Sequence, residues 1–217
     1  MKVSLTDAGK RFNRDWIFRQ IHYTFETGNC YAITGPNGSG KTTLLQILSG
    51  AMQLTEGKIQ FHAGGSHADQ DREAVSGEEI YRHVSICAPY LEVVEEMTVR
   101  EFLEFHSRFK PFLPSLTIND IVAVVGLKEA IHKQIRYYSS GMKQRVKLAQ
   151  AIFSDTVFLL LDEPCTNLDA EGIELYNRLV DEYCRNRLVV VSSNDETEYS
   201  FCKEKINITD YKHYHSI

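Results

Sequence analysis

Short, almost wholly apolar runs alternate along the chain with segments whose apolar residues recur at helical spacing. The clearest apolar runs are Cys30–Thr34, Val157–Leu161 and Leu188–Ser192. Runs of this length and uniformity are typical of strands that are covered on both faces, as in a parallel sheet. Their alternation with helical segments predicts an α/β domain.

The middle of the chain follows a mostly helical pattern. Thr98 and Glu101 have the spacing of a capping box, which predicts that a helix begins there. Phe102, Phe105 and Phe109 then recur along one side of this helix. An aromatic stripe at helical spacing is more typical of a core than of a cofactor site, so we expect these rings to be buried.

A second helical pattern, Ile118–Val125, follows and ends at Gly126. We interpret residues 87–140, approximately, as a helical insert. The α/β core would then consist of residues 1–86 and 141–217, and the whole chain would form one domain.

Composition indicates an ordinary globular protein. The chain has 217 residues, 43% hydrophobic residues and a formal net charge of −5, which argues against a general nucleic-acid partner. The N-terminal segment lacks a signal-peptide pattern, and no apolar run has the length of a membrane span, so we expect a cytoplasmic protein. The five cysteines are widely spaced, which favours reduced, buried thiols over a disulfide framework or zinc site. They are Cys30, Cys87, Cys165, Cys184 and Cys202.

Two polar segments have no pattern that indicates a function. Residues 62–79 are polar and rich in glycine, so we expect a solvent-exposed loop in a hairpin-like region. His213 and His215 have a spacing that is compatible with a metal site. Two histidines in a terminal tail are usually solvated, and we prefer that interpretation.

The stretch GPNGSGKTT has the G-x-x-x-x-G-K-[ST] pattern of a phosphate loop and lies between a predicted strand and a predicted helix. Its glycines allow backbone N–H groups to surround phosphate groups. Lys41 is expected to neutralise the outer phosphates, and the Thr42 hydroxyl to ligate Mg²⁺. The candidate nucleotide-binding residues here are Gly35, Pro36, Asn37, Gly38, Ser39, Gly40, Lys41, Thr42 and Thr43.

Two carboxylates follow the predicted strand Val157–Leu161, namely Asp162 and Glu163. Ligands of open α/β sheets bind at the carboxyl ends of the strands, so both side chains are expected near the phosphate loop. Asp162 would hold Mg²⁺, through water, and Glu163 would act as general base towards water. The alternative is that they merely cap the strand in solvent. Because the two carboxylates are expected beside a phosphate loop, we favour a catalytic role for them, in phosphoryl transfer to water.

The segment YSSGM begins a basic helix that runs to the acidic strand. A phosphate loop, an aromatic-rich helical insert, a serine–glycine signature, a basic helix and an acidic strand, in this order, resemble the ATP-binding cassette (ABC) family over almost the whole chain. The family signature is L-S-G-G-Q, and here only Ser139 and Gly141 agree with it. The basic residues Lys143, Arg145 and Lys147 are interpreted as the solvated face of the helix.

The resemblance implies a phosphate-loop nucleoside triphosphatase fold with a mostly parallel sheet, an N-terminal antiparallel β part and an inserted helical subdomain. It implies hydrolysis of ATP with Mg²⁺ in a head-to-tail dimer, where Ser139 and Gly141 of one subunit contact the γ-phosphate held by the other. A serine cap on the helix N-terminus is compatible with this role. Phe12 corresponds to the adenine-stacking aromatic, with Trp16 as the alternative, and Asp169 to a residue that communicates across the dimer.

Two positions depart from the family pattern. The family usually has a Gln before the helical insert, where this chain has Pro89 or Tyr90, depending on the counting. After the strand Leu188–Ser192, Asn194 replaces a His that contacts the γ-phosphate. An amide donates a hydrogen bond but does not titrate near neutral pH. We therefore expect Glu163 to remain the base, Asn194 to assist, and turnover to be slow.

The leading functional hypothesis is the ATPase subunit of an ABC transporter. It would pair with an identical or sister subunit and dock on a separate membrane permease through the helical insert and residues 89–97, at the cytoplasmic face of the cell membrane. Compact length favours an export-type system. The alternatives are a soluble cassette protein acting on ribosomes or DNA, and a weakly hydrolytic nucleotide sensor.

Overall fold

The computed structural model describes residues 1–64 and 73–212. Its centre is a five-stranded parallel sheet with strand order β6-β7-β8-β3-β9. These strands are β3 (Cys30–Thr34), β6 (Val84–Cys87), β7 (Phe158–Asp162), β8 (Leu188–Ser192) and β9 (Glu204–Asn207). Because all five run the same way, their carboxyl ends meet at one edge, where the predicted site residues follow β3, β7 and β8.

A four-stranded antiparallel sheet, in the order β2-β1-β4-β5, covers one side of the parallel sheet. Its strands are β1 (Lys2–Phe12), β2 (Asp15–Glu26), β4 (Glu56–Ala63) and β5 (Glu73–Val75). The antiparallel pairing of β4 with β5 confirms the hairpin-like region expected near residues 62–79, although 65–72 lie outside the described residues. His213 and His215 also lie outside them.

The described residues also contain five α-helices. They are α1 (Lys41–Leu48), α2 (Val99–Ser107), α3 (Ile118–Val124), α4 (Ser140–Ile152) and α5 (Ala170–Tyr183). The predicted capping box at the start of α2 is confirmed, since Thr98 accepts from the backbone of Glu101 while Glu101 accepts from the backbone of Thr98. Within the described residues, no helix combines the length and apolar character needed to cross a membrane.

Two hydrophobic cores lie on opposite faces of the parallel sheet. Along β7, Phe158 and Leu160 pack into the core shared with α1 and the antiparallel sheet. Leu159 and Leu161 pack into the core shared with α2–α5. Because neighbouring side chains of a strand point to opposite faces, a strand between two cores must be apolar at every position. This explains the uniform apolar runs, and the predicted fold class is confirmed.

The aromatic stripe of α2 is not buried as expected. Phe102 is 5% exposed, but Phe105 is 45% exposed and Phe109 is 73% exposed. α2 ends at Ser107, so Phe109 lies beyond the helix and its ring packs edge-on against Phe105 at 5.1 Å. Helical spacing therefore predicted one buried ring correctly and two wrongly.

The expectation for the cysteines is corrected in part. Cys87, Cys165 and Cys184 are buried free thiols, as predicted. Cys30 and Cys202 instead form a disulfide that joins β3 to the segment before β9, with a sequence separation of 172. The two strands are adjacent only in the folded sheet, so the spacing of cysteines along the chain gave no sign of this pair.

Candidate functional site

The phosphate loop fills the turn between β3 and α1, and three of its glycines have positive φ: Gly35 (139°), Gly38 (74°) and Gly40 (109°). A Cβ on Gly40 would lie 2.3 Å from Ile17 Cγ2. A Cβ on Gly35 would lie 2.8 Å from Ile208 Cγ2 and 2.9 Å from Ser39 Oγ. Both backbone conformation and space therefore require glycine, which keeps the backbone N–H groups of the loop free to approach an anion.

Lys41 is 5% exposed and folds back over this loop. Its Nζ donates to Gly35 O at 2.7 Å and to Pro36 O at 3.3 Å. Burial lowers the pKa of Lys41, while the charges of Glu163 and Asp162 oppose that shift. Ser39 Oγ is buried without a hydrogen-bond partner among the described residues. A buried cation and an unsatisfied hydroxyl facing a glycine cradle fit the phosphate groups of a nucleotide.

Thr42 and Asp162 meet at the start of α1, as the sequence predicts. Thr42 Oγ1 donates to Asp162 Oδ2 at 2.7 Å across a separation of 120 residues. Hydroxyl and carboxylate oxygens are hard ligands of the kind that Mg²⁺ prefers, and Mg²⁺ commonly takes one or two protein oxygens together with phosphate oxygens. These two side chains are the residues that would hold Mg²⁺.

Glu163 lines a cavity at the phosphate loop. The cavity has a volume of about 200 Å³, and its lining residues are Ile17, Asn37, Gly38, Gly40, Lys41, Thr42, Thr43 and Glu163. Glu163 has a left-handed backbone with φ of 44°, and its N–H donates to Ser192 O at 2.9 Å. Its carbonyl accepts from both the N–H and the hydroxyl of Thr166. The chain therefore turns sharply after β7, and the carboxylate is placed among the phosphate-loop residues.

Asn194 also reaches the phosphate loop. Its Nδ2 donates to Asn37 Oδ1 at 2.9 Å. The loop after β8 thus contributes an oriented amide at the position where the family resemblance implies contact with the γ-phosphate.

The segment after β6 places Tyr90, rather than Pro89, towards the site. Tyr90 forms a side-chain hydrogen bond with Gln46 of α1, and burial raises the pKa of Tyr90, with a further contribution from the charge of Asp162. Pro89 offers only its carbonyl, which accepts from Lys147 Nζ at 3.0 Å. Of the two candidates for the Gln position, Tyr90 is the one whose side chain interacts with Gln46 of α1 and with the charge of Asp162.

Phe12 and Trp16 lie in the hairpin between β1 and β2, and neither lines the cavity. The Phe12 ring is 45% exposed, with Lys10 Nζ at 5.2 Å from its centroid. Trp16 is contacted by two guanidinium groups, at 5.3 Å for Arg11 and 4.4 Å for Arg19. Because two cations lie over Trp16 and one over Phe12, the Phe12 ring is the less occupied of the two for stacking on a nucleobase.

Ser139 caps α4 and accepts from Met142 N at 3.2 Å. A Cβ on Gly141 would lie 3.0 Å from Asn167 O, so this helix start is packed against the loop after β7. Neither Ser139 nor Gly141 lines the cavity of Lys41 in the same chain. Asp169 caps α5 by accepting from Gly172 N at 2.8 Å.

The basic residues of α4 do not form a simple solvated face, contrary to the prediction. Lys143 pairs with Glu95 at 2.5 Å, and Arg145 pairs with Asp169 at 3.8 Å. Lys147 donates to the carbonyl of Pro89. These contacts tie α4 to the loops on either side of it, which helical periodicity alone does not reveal.

Sequence reasoning also missed four side chains around the site, namely Ile17, Gln46, Gln144 and Glu198. Gln144 and Glu198 are 3% and 5% exposed, and both contact the backbone just after Glu163. Gln144 has helical spacing to the buried Leu148 and Ala151 of α4, and this was the available signal for it. The others lie far along the chain from the motifs that they contact, so no local pattern marked them.

A glycine phosphate loop, a Thr–Asp pair and an acidic strand end on a parallel sheet define a phosphate-loop nucleoside triphosphatase. Residues 18–166, more than half of the chain, match the family model described as ABC transporter, and the chain belongs to that family. The chain is an ATP-binding subunit of the ABC transporter family.

Two curated relatives and one solved structure show how far the similarity extends. The chain is 30% identical to YybJ, an uncharacterized ABC transporter ATP-binding protein of Bacillus subtilis, over 90% of this chain and 87% of that protein. It is 29% identical to CcmA of Rhizobium meliloti, a cytochrome c biogenesis ATP-binding export protein, over 98% of this chain and 100% of CcmA. The dimeric bacterial ABC cassette MJ0796 has the same fold, with a TM-score of 0.77 and 19% identity over 94% of this chain and 93% of the cassette.

Proposed function

We propose that this chain hydrolyses ATP as the ATPase subunit of an export-type ABC transporter. The observation that carries the proposal is one cavity of about 200 Å³ lined by Lys41, Thr42 and Glu163, with Asp162 hydrogen-bonded to Thr42. Phosphoryl transfer to water needs charge neutralisation, a metal position and a base, and these residues supply all three.

Each residue has a distinct role in this chemistry. Lys41 and the loop N–H groups bind and orient the outer phosphates, and Thr42 and Asp162 hold Mg²⁺, which neutralises charge on the phosphate oxygens when bound. Glu163 accepts a proton from the attacking water as general base. Asn194 donates a hydrogen bond at the γ-phosphate position, oriented by its contact with Asn37. Phe12 stacks on the adenine.

A second subunit completes the site in this proposal. Ser139 and Gly141 lie at the N-terminus of a 13-residue helix, where backbone N–H groups and the helix dipole favour an anion. They do not line the cavity of their own chain, so the phosphate that they contact belongs to a partner. Asp169 would then face the partner across the interface. The dimeric form of the similar cassette MJ0796 supports this arrangement, with either an identical or a sister subunit.

The membrane permease is a separate chain in this proposal, and the subunit binds it at the cytoplasmic face of the membrane. The docking segment is the helical insert, about residues 87–140, and includes the loop 89–97. The insert separates the core parts 1–86 and 141–217. Leu91 and Val94 of this loop are exposed, at 37% and 39%, and offer an apolar contact. The full-length similarity to CcmA, an export protein, supports the export type.

Steady-state hydrolysis by the purified chain tests the enzymatic part. We expect Mg²⁺-dependent ATPase activity that Glu163→Gln lowers by about 10²-fold or more, since a positioned general base contributes on that scale. Glu174→Gln, at an exposed position of α5, is the matched control and keeps wild-type activity. Absence of activity in both the wild type and Glu163→Gln would favour a nucleotide sensor instead.

Assembly is tested with the same hydrolysis-deficient variant. Glu163→Gln loaded with MgATP is expected to elute as a dimer and to co-purify with a multi-spanning membrane chain from detergent-solubilised membranes. A strictly monomeric variant, even beside that membrane chain, would contradict the transporter proposal.

A further inference from the structure

The peptide bond between Pro164 and Cys165, one residue beyond Glu163, has both of its polar groups bound by side chains. Its carbonyl oxygen accepts from Gln144 Nε2 at 2.6 Å. Its N–H donates to Glu198 Oε1 at 2.7 Å. The two side chains come from different elements, α4 and the turn after β8, and approach the same peptide group.

Both side chains are costly to bury. Gln144 is 3% exposed and Glu198 is 5% exposed. Burial raises the pKa of Glu198, as expected for a carboxyl group removed from water. Apolar side chains would fill either position without that desolvation cost, but the buried peptide group would then lack partners. The polarity of these two positions is therefore matched to one peptide bond.

Glu198 is itself fixed by its surroundings. Its N–H donates to Asp195 O at 3.1 Å, within the loop that carries Asn194, and its carbonyl accepts from Tyr176 OH at 2.8 Å. Gln144 belongs to α4, whose first residues follow the Ser139 cap. The Pro164–Cys165 peptide is thus connected to the helix that carries Ser139 and to the loop that carries Asn194.

Glu163 needs such support because its backbone has φ of 44°. A non-glycine residue pays a steric penalty in this left-handed region and keeps it only where the surroundings fix the chain. Fixing the Pro164–Cys165 peptide, one residue further along the chain, limits the rotation of the backbone that carries the carboxylate.

We propose that Gln144 and Glu198 form a two-sided clamp on the Pro164–Cys165 peptide and act as positioning residues for Glu163. This inference rests on the proposed ATPase function. Loss of either side lets the peptide rotate, so the carboxylate of Glu163 spends less time in line with the attacking water. Nucleotide binding, which uses the phosphate loop, is unaffected.

Four variants test the kinetic consequence. Glu198→Ala and Gln144→Met remove one side of the clamp each, and both are expected to lower kcat by about 10- to 100-fold, the scale expected for a displaced catalytic group. KM for ATP should change by less than about twofold, because ground-state binding is retained. Glu198→Gln keeps an oxygen that accepts from Cys165 N–H and should recover kcat to within about threefold of wild type. Glu196→Ala, in the same turn but exposed, is the control.

A double variant separates a shared action from two independent ones. If both side chains act through one peptide, Gln144→Met combined with Glu198→Ala loses little more than the worse single variant. Multiplication of the two losses would show that they act separately and would overturn the clamp.

Amide hydrogen exchange at Cys165 provides a measurement that does not depend on activity. Exchange should accelerate at least about tenfold in Glu198→Ala and remain near wild type in Glu198→Gln, since exchange follows local opening. Wild-type kcat in folded Gln144→Met, an equal loss in Glu198→Gln and Glu198→Ala, or unchanged Cys165 exchange in Glu198→Ala would each overturn the clamp. Inactivity of both the wild type and Glu163→Gln would instead refute the ATPase function. The exchange rates of the Cys165 amide would still test the clamp in that case.

Discussion

The side-chain amide of Asn194 donates a hydrogen bond to Oδ1 of Asn37, at 2.9 Å and across 157 residues. This contact joins the loop after β8 to the phosphate loop. It holds the Asn194 amide in one orientation, with one of its two N–H bonds used and the other available. The residue that replaces the family His is therefore held at the phosphate loop by a specific partner.

Replacing Asn194 tests the contribution of this amide. We expect Asn194→His to leave turnover unchanged or to raise it, because imidazole supplies a donor in the same loop. Asn194→Ala should lower turnover by about tenfold, less than the 10²–10³-fold typical of a lost transition-state donor, because Glu163 and Lys41 remain. Steady-state ATPase rates at saturating MgATP measure both. A sharp drop in Asn194→His would show that the Asn37 contact itself is required.

Gly40→Ala tests the fit of the phosphate loop. Its φ is 109°, and a Cβ there would lie 2.3 Å from Ile17 Cγ2, so the loop or the Ile17 side chain must shift. We expect nucleotide affinity to fall by at least about tenfold, as expected when backbone donors around phosphate are displaced by a loop shift. Titration with a fluorescent ATP analogue measures the affinity.

Gly28→Ala is the matched control for Gly40→Ala. Gly28 also has positive φ, 87°, but a Cβ there meets no atom within 4 Å. It should cost about 1–2 kcal/mol of unfolding free energy from backbone strain alone and leave nucleotide affinity unchanged. Equal affinity losses in the two variants would show that backbone strain, not the contact with Ile17, determines the fit.

The parts of the site that sequence predicted are those with local patterns. Strand β3 and the glycine loop are contiguous, and their spacing alone predicts a phosphate site. The meeting of Thr42 with Asp162 could also be predicted, because parallel strands bring their carboxyl ends to one edge. These inferences need only the direction of the strands and not their order.

The parts that sequence did not predict depend on contacts between distant segments. Gln144 and Glu198 lie 20 and 33 residues from the peptide that they bind, and Cys30 lies 172 residues from Cys202. Such pairs are determined by strand order and helix packing, which periodicity does not encode. The exposure of Phe109 depends on where α2 ends, and helix boundaries are the least certain feature of a periodic pattern.

The two phenylalanines Phe102 and Phe109 give a direct comparison of buried and exposed positions. Phe102 is 5% exposed and Phe109 is 73% exposed. Phe102→Ala should cost about 3–5 kcal/mol through lost burial and a cavity. Phe109→Ala should change the unfolding free energy by less than about 0.5 kcal/mol. Urea unfolding followed by circular dichroism measures both, and a large cost at Phe109 would mean that its ring is covered.

The titration of His106 predicts how the free energy of unfolding depends on pH. Its Nε2 lies 2.9 Å from Ser154 Oγ and its Nδ1 lies 3.1 Å from Gln150 Nε2. Burial, with a smaller effect from the charge of Lys110, lowers the pKa of His106 from 6.5 to about 4. Between these values the unfolded chain binds a proton that the folded chain does not. The stabilising contribution of neutral His106 is therefore complete above pH 6.5 and is lost as pH falls towards 4.

His106→Gln removes this titration and keeps a polar side chain between α2 and α4. We expect the wild type to lose more unfolding free energy than His106→Gln between pH 6.5 and pH 4.5, and the two to have parallel profiles above pH 7. His132→Gln, at an exposed position, is the control and should retain the wild-type slope. Urea unfolding midpoints at one-unit pH intervals measure the profiles. Identical acid slopes in the wild type and His106→Gln would mean that His106 is protonated in the folded protein and that its contacts with Ser154 and Gln150 differ from those described.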